Sequence, residues 1–179
     1  MISPPFIKAG DTVGVVSTAG FILPHQAEHG LQVLESWGLE VKVGPNAFNQ
    51  WNSFAGKDEE RLSDFQTYLD NPDVKAIFFT RGGYGTLRIL DKIDWTGFLK
   101  SPKWIIGYSD ITAIHDCLNN YLHVNCIHGP MLRSFPEHQQ ERQSLFCQKR
   151  MLWGKPLVYN VAGLLSGNPE SVSGRLCGG

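Results

Sequence analysis

The chain has 179 residues, of which 42% are hydrophobic and 18% charged, with a formal net charge of −1. That length can bury a full core, and that composition lacks the high charge and low hydrophobicity of a disordered segment. Near-neutrality argues against a broad nucleic-acid or anionic-membrane surface, and no stretch approaches the roughly 18 apolar residues of a membrane span.

The opening Met1-Ile2-Ser3-Pro4-Pro5-Phe6 has neither the charged region nor the apolar core of a signal peptide. Asp11–Ser17 is a β-branched run suited to a buried parallel strand, broken by Thr18-Ala19-Gly20. Pro24 opens a helix whose Ala27, Leu31, Leu34 and Trp37 share a face, and Gly38 closes it. Leu39–Val43 is a second strand, and Gly44–Gly56 reads as a loop. Within that loop Phe48–Phe54 is aromatic and Asn-rich, a wall for a cleft or ordinary surface packing. Lys57–Leu69 is an amphipathic helix with Leu62, Phe65 and Leu69 inward, stopped by Asn71-Pro72. Val74–Phe79 is a third strand, and a helical pattern is read after it in Leu87, Ile89 and Leu90. Lys103–Ile106 is a fourth strand, Ile111, Ile114, Leu118 and Leu122 recur at helical spacing, and His128 ends a fifth strand.

This alternation predicts an α/β domain, a parallel sheet flanked by helices and flavodoxin-like in appearance, over residues 1–153. Residues 154–170, rich in Gly and Pro, read as an interdomain linker. The strand-like Ser173–Gly179 within 171–179 reads as the truncated start of a β-rich C-terminal domain. A chain that stops there is expected to be a fragment. Four cysteines (Cys117, Cys126, Cys147, Cys177) form no Cys-x-x-Cys pair and read as small apolar residues in a reducing compartment. A cytoplasmic protein is therefore expected.

Binding residues in such a sheet lie beyond the carboxyl ends of its strands. Two motifs leave strands at that edge. Arg81-Gly82-Gly83-Tyr84-Gly85 allows positive φ and close backbone approach to a ligand, or is a glycine-rich turn with no ligand. It is neither a Walker A loop nor a G-x-G-x-x-G fingerprint. Gly107-Tyr108-Ser109-Asp110-Ile111-Thr112 places a serine between strand and helix, either as an exposed nucleophile or as an ordinary helix cap. An elbow serine there is expected to be strained and to face the Gly82-Gly83 turn. Ile111 stands where α/β-hydrolases place a second glycine, which disfavours that fold.

A serine nucleophile needs a base, and the histidines do not supply an obvious one. His115 points away from Ser109 along its helix, His128 lies at the active edge, and His25, His29, His123 and His138 sit in polar, exposed surroundings. No spacing suggests a metal, and no cofactor is expected.

Arg81-Gly-Gly-Tyr-Gly85, Asp94-Trp95, Gly107-Tyr-Ser-Asp-Ile-Thr112 and His128-Gly-Pro130, in this order, resemble the L,D-carboxypeptidase family. These are cytoplasmic serine peptidases of murein tetrapeptide recycling, related to the microcin C immunity peptidases. Lys8-Ala9-Gly10-Asp11 with Val13–Ser17 also resembles the family's first strand. The resemblance implies Ser109 as nucleophile, oxyanion N–H groups from Asp110 and the Gly82-Gly83 turn, and Arg81, Tyr84 and His128 on the substrate. The implied partner is a murein peptide rather than nucleic acid or membrane, in a homodimer of the complete protein. The family's triad Glu and His belong to a C-terminal domain, so this chain alone is expected to be inactive. Two alternatives stay open: a microcin C-type peptidase acting on acyl-nucleotide conjugates, and a non-catalytic nucleotide- or sugar-phosphate-binding module.

Overall fold

The computed structural model describes residues 1–138 and 143–157. Residues 171–179 and most of the expected linker lie outside them. Five strands, β1 (Thr12–Val16), β2 (Glu40–Val43), β3 (Val74–Phe79), β4 (Trp104–Gly107) and β5 (Ile127–His128), form one parallel sheet in the order β2-β1-β3-β4-β5. That is the flavodoxin-like order, in which the chain winds outward in both directions from β1 and β3.

Period-two alternation makes both faces of the central strands apolar. Val13, Val15, Ala76, Phe78 and Ile106 face one core, with α1 (Pro24–Ser36) and α5 (Gln143–Leu152) over them. Val16, Ile77, Phe79 and Ile105 face the other, covered by α2 (Asp58–Asp70), α3 (Thr96–Lys100) and α4 (Thr112–Asp116). The two long crossover helices begin on recognisable signals. Pro24 stands in the first turn of α1, while Asp58, Glu59 and Glu60 put negative charge at the N-terminus of α2. Beyond the other end of α2, the buried Lys103 ammonium donates to the carbonyls of Tyr68 (2.9 Å) and Asn71 (2.6 Å). It thereby satisfies acceptors that a helix terminus leaves open.

The structure corrects one expected element. Leu87, Ile89 and Leu90 do not lie in an α-helix. The chain makes two 3-10 turns, Thr86–Arg88 and Leu90–Lys92, burying Ile89 and leaving Leu87 59% exposed. Leu87 and Leu90 share a helical face at i, i+3, but Ile89, the residue that is fully buried, falls on the opposite side from Leu87. The segment after β4 also changes form along its length. It starts as a 3-10 turn at Ser109–Ile111, continues as α4 and widens into a π turn at Cys117–Tyr121. Cys147 is buried and Cys117 and Cys126 are half-buried, all three as free thiols. Among the described residues no helix is long and apolar enough to cross a membrane.

Candidate active site

The turns after β3 and β4 emerge side by side, next to the point between β1 and β3 where the winding reverses. Ser109 is solvent-exposed and has φ +60°, a left-handed conformation that few L-residues adopt. Tyr108 before it is extended, and among the described residues the Ser109 hydroxyl makes no hydrogen bond. The serine hydroxyl is therefore not spent on the capping bond that a serine at a helix start normally makes. The reversal is tight. A methyl added to Gly107 would lie 2.9 Å from Ile111 Cγ2, so the strand must end in glycine for the chain to fold back over it.

Gly82 lies directly opposite. A Cβ at that position would stand 3.1 Å from both Cβ and Oγ of Ser109, closer than ordinary packing allows. The bare backbone of the Arg81–Gly83 turn thus comes up against the serine. The Asp110 carboxylate locks the two turns together by accepting the Thr86 N–H at 2.9 Å.

Ser109, Gly82 and Gly83 line a cavity of about 500 Å³ together with Arg81, Tyr108 and Arg133. The Arg81 guanidinium is half-buried, with Nε donating to the Gly82 carbonyl (3.0 Å) and Nη1 to the Phe21 carbonyl (3.4 Å). Burial pulls its pKa below the ordinary value and the neighbouring Arg133 pulls in the same direction, against a smaller opposing effect of Tyr108.

The structure does not gather every residue of the sequence-derived set. Tyr84 is 58% exposed and packs its ring 6.1 Å from Phe54, away from the lining of the serine cavity. His128 lines a neighbouring cavity of about 350 Å³ that shares Tyr108 and Ser134 with the first. His115 is buried, 6.5 Å from His128 between ring centroids, and its Nε2 has no hydrogen-bond partner among the described residues. Burial first, and the charge of His128 second, press its pKa down to about 4, so it is neutral at physiological pH. His29 is half-buried rather than exposed, its Nε2 3.2 Å from the Pro136 carbonyl. Trp51 and Phe54 of the aromatic loop stack on each other rather than on the serine cavity. No group of three or more His, Cys, Asp or Glu side chains among the described residues could hold a metal.

Two features escape a reading by sequence. Arg133 joins the cavity from the turn after β5, and the only signal for it is its place shortly after His128-Gly129-Pro130. Arg61, on α2, is fully buried. It donates to the carbonyls of Thr18 and Gly85 and pairs with Asp58, fastening the turn after β1 to the glycine loop.

Known proteins resemble this chain over most of its length. The probable murein peptide carboxypeptidase of Bacillus subtilis (strain 168) is 40% identical over 129 residues, which are 72% of this chain and 40% of that protein. The murein tetrapeptide carboxypeptidase of Pseudomonas aeruginosa is 33% identical over 177 residues, 93% of this chain and 57% of that one. The solved structure of microcin C7 self immunity protein MccF in complex with aspartyl sulfamoyl adenosine matches with TM-score 0.79 at 25% identity. The match covers 85% of this chain and 47% of that one. The chain spans about half the length of these relatives, between 40% and 57%. The family description LD-carboxypeptidase N-terminal domain matches residues 13–129. On that match, which runs from the first strand to the turn after the fifth, the chain belongs to the LD-carboxypeptidase family.

Proposed function

We propose that this chain is the nucleophile-bearing part of a serine L,D-carboxypeptidase that removes the terminal D-alanine from a murein tetrapeptide. The observation that carries the reading is Ser109 itself, left-handed and exposed against the bare backbone of Gly82. Ser109 Oγ attacks the carbonyl preceding D-alanine while a base takes its proton. The N–H groups of Asp110 and the Gly82-Gly83 turn receive the oxyanion. The C–N bond breaks, the amine of D-alanine picks up the proton, and water then hydrolyses the acyl-serine.

A serine hydroxyl is a weak nucleophile without an adjacent base, and the described histidines are poorly suited to that role. His115 is buried and His128 lies in the next cavity. The base and its orienting carboxylate, a His and a Glu by family resemblance, then come from sequence beyond the part matched here. By the same reading the complete protein is cytoplasmic and homodimeric and uses no cofactor. His128 and Tyr84 meet substrate outside the serine cavity.

The test is release of D-alanine from murein tetrapeptide by the complete protein. Ser109→Ala should lower kcat by on the order of 10³-fold or more, since only binding and oxyanion stabilisation remain. Near wild-type release would move the nucleophile elsewhere. Turnover of an acyl-sulfamoyl nucleotide with none of the tetrapeptide would favour the chemistry named for MccF.

A further inference from the structure

The serine cavity does not stand alone on the sheet edge. Tyr108 and Ser134 are shared with the cavity of about 350 Å³ at His128, which in turn shares His128, Gly129, Pro130 and Ser144 with a third. That third cavity, of about 550 Å³, lies under α5, which brings Cys147, Gln148 and Met151 to it beside the end of β5. Among the described residues no Asp, Glu, Lys or Arg lines it. A groove thus runs along the edge of the sheet from Ser109 to Gln148.

Gln148 carries an amide that the fold does not use. It is 2% exposed, and neither Nε2 nor Oε1 has a hydrogen-bond partner among the described residues. The glycine after β5 gives that amide its room, because a Cβ at Gly129 would collide with Gln148 Oε1. Gly129 is itself fixed, its N–H donating to the carbonyl of Gly107 at 3.0 Å, at the end of the strand that leads to Ser109. A buried polar group left unpaired costs free energy that a matching partner returns. A primary amide presents a donor and an acceptor side by side, which complements the N–H and C=O of another amide. The uncharged lining favours such a neutral group over an ion.

We propose that this groove is a subsite for the acyl part of the substrate, in which Gln148 pairs with a neutral amide of the peptide ahead of the scissile bond. The proposal rests on the serine acyl-transfer reading, under which a single residue lies past that bond. A groove leading away from Ser109 over several residues therefore takes the other side of the substrate. Distance agrees with this. Neighbouring strands lie about 4.8 Å apart and an extended residue spans about 3.3 Å, so Gly129 and the amide against it lie on the order of 10 Å from Ser109, about three residues along. A murein tetrapeptide has that many residues ahead of its terminal D-alanine.

The experiment uses the complete protein and two peptides, the murein tetrapeptide and its C-terminal dipeptide, which keeps the scissile bond and lacks the outer amides. Gln148→Met keeps the size of the side chain and removes both polar atoms. It should raise KM for the tetrapeptide about tenfold with kcat unchanged, as for one or two lost neutral hydrogen bonds, and leave the dipeptide unaffected. The thermal midpoint of the substrate-free protein should hold or rise, because the amide it loses had no partner. A clear fall in that midpoint shows that the protein's own chain already pairs Gln148, and overturns the subsite. A change in KM that is equal for both peptides, or absent, overturns it too and leaves the hydrolase reading standing. Calorimetric binding on the Ser109→Ala background reads the same preference without turnover. Loss of tetrapeptide affinity in Gln148→Met, in a protein that releases no D-alanine, keeps the subsite and refutes the hydrolase. Binding of neither peptide refutes both.

Discussion

The left-handed backbone of Ser109 can be tested through stability, apart from any assay of chemistry. An L-residue in that region costs roughly 1–2 kcal/mol, whereas glycine occupies it freely. Part of the gain on Ser109→Gly is lost because glycine orders a more flexible unfolded chain, a cost of about 0.5–1 kcal/mol. The net expectation is a stabilisation of about 0.5–1 kcal/mol. For a chain of this length that raises the thermal midpoint by about 1–4 °C. Ser109→Ala keeps the strain and removes only a hydroxyl that caps nothing, so its midpoint should stay within about 0.5 kcal/mol of wild type. The informative measurement is the order of the three midpoints by scanning calorimetry, with D-alanine release followed in the complete protein carrying the same substitutions. Both variants should be inactive, and the glycine variant should be the most stable of the three. A glycine midpoint at or below that of alanine would show that φ +60° stores no strain, and that the hydroxyl serves the fold instead.

Two further outcomes follow from the buried polar groups. His115 has a folded-state pKa of about 4 against an ordinary 6.5, so the unfolded chain binds more protons between those values and stability falls as pH drops through that window. The loss should be about 2 kcal/mol on going from neutral pH to about pH 5, and urea unfolding should show His115→Gln with a visibly flatter pH dependence; an unchanged slope would refute the assignment. Arg61→Met should cost about 3 kcal/mol, because it strands the Thr18 and Gly85 carbonyls in the interior and removes one of the two arginines paired with Asp58. Its midpoint should drop by several degrees, and wild-type stability would mean that the glycine loop does not depend on this staple.

Periodicity along the chain is local information, and it sufficed for the architecture. The β-branched runs at Val13–Val16 and Val74–Phe79, alternating with the faces of α1 and α2, specify a parallel α/β sheet because each element must bury its own apolar side. The Gly-rich turn and the Ser109 turn were legible for the same reason: glycine and serine directly after a strand announce a change of backbone direction. The helix expected at Leu87–Leu90 failed where Ile89 and Leu87 fall on opposite sides of a helix and the Asp110 carboxylate holds the start of the segment.

The strand order, and with it the site, belonged to the tertiary structure. Gly82 and Ser109 lie 27 positions apart, and Arg81 and Arg133 lie 52 apart. What brings each pair together is β4 pairing alongside β3, and β5 alongside β4, so that their following turns open on one edge. The burial of Arg61 and the neutrality of His115 likewise depend on groups distant in sequence. The amino-acid sequence determined which residues had the chemistry; long-range packing of the sheet decided which of them face one another, because pairing energies between strands are not encoded in any single segment's pattern.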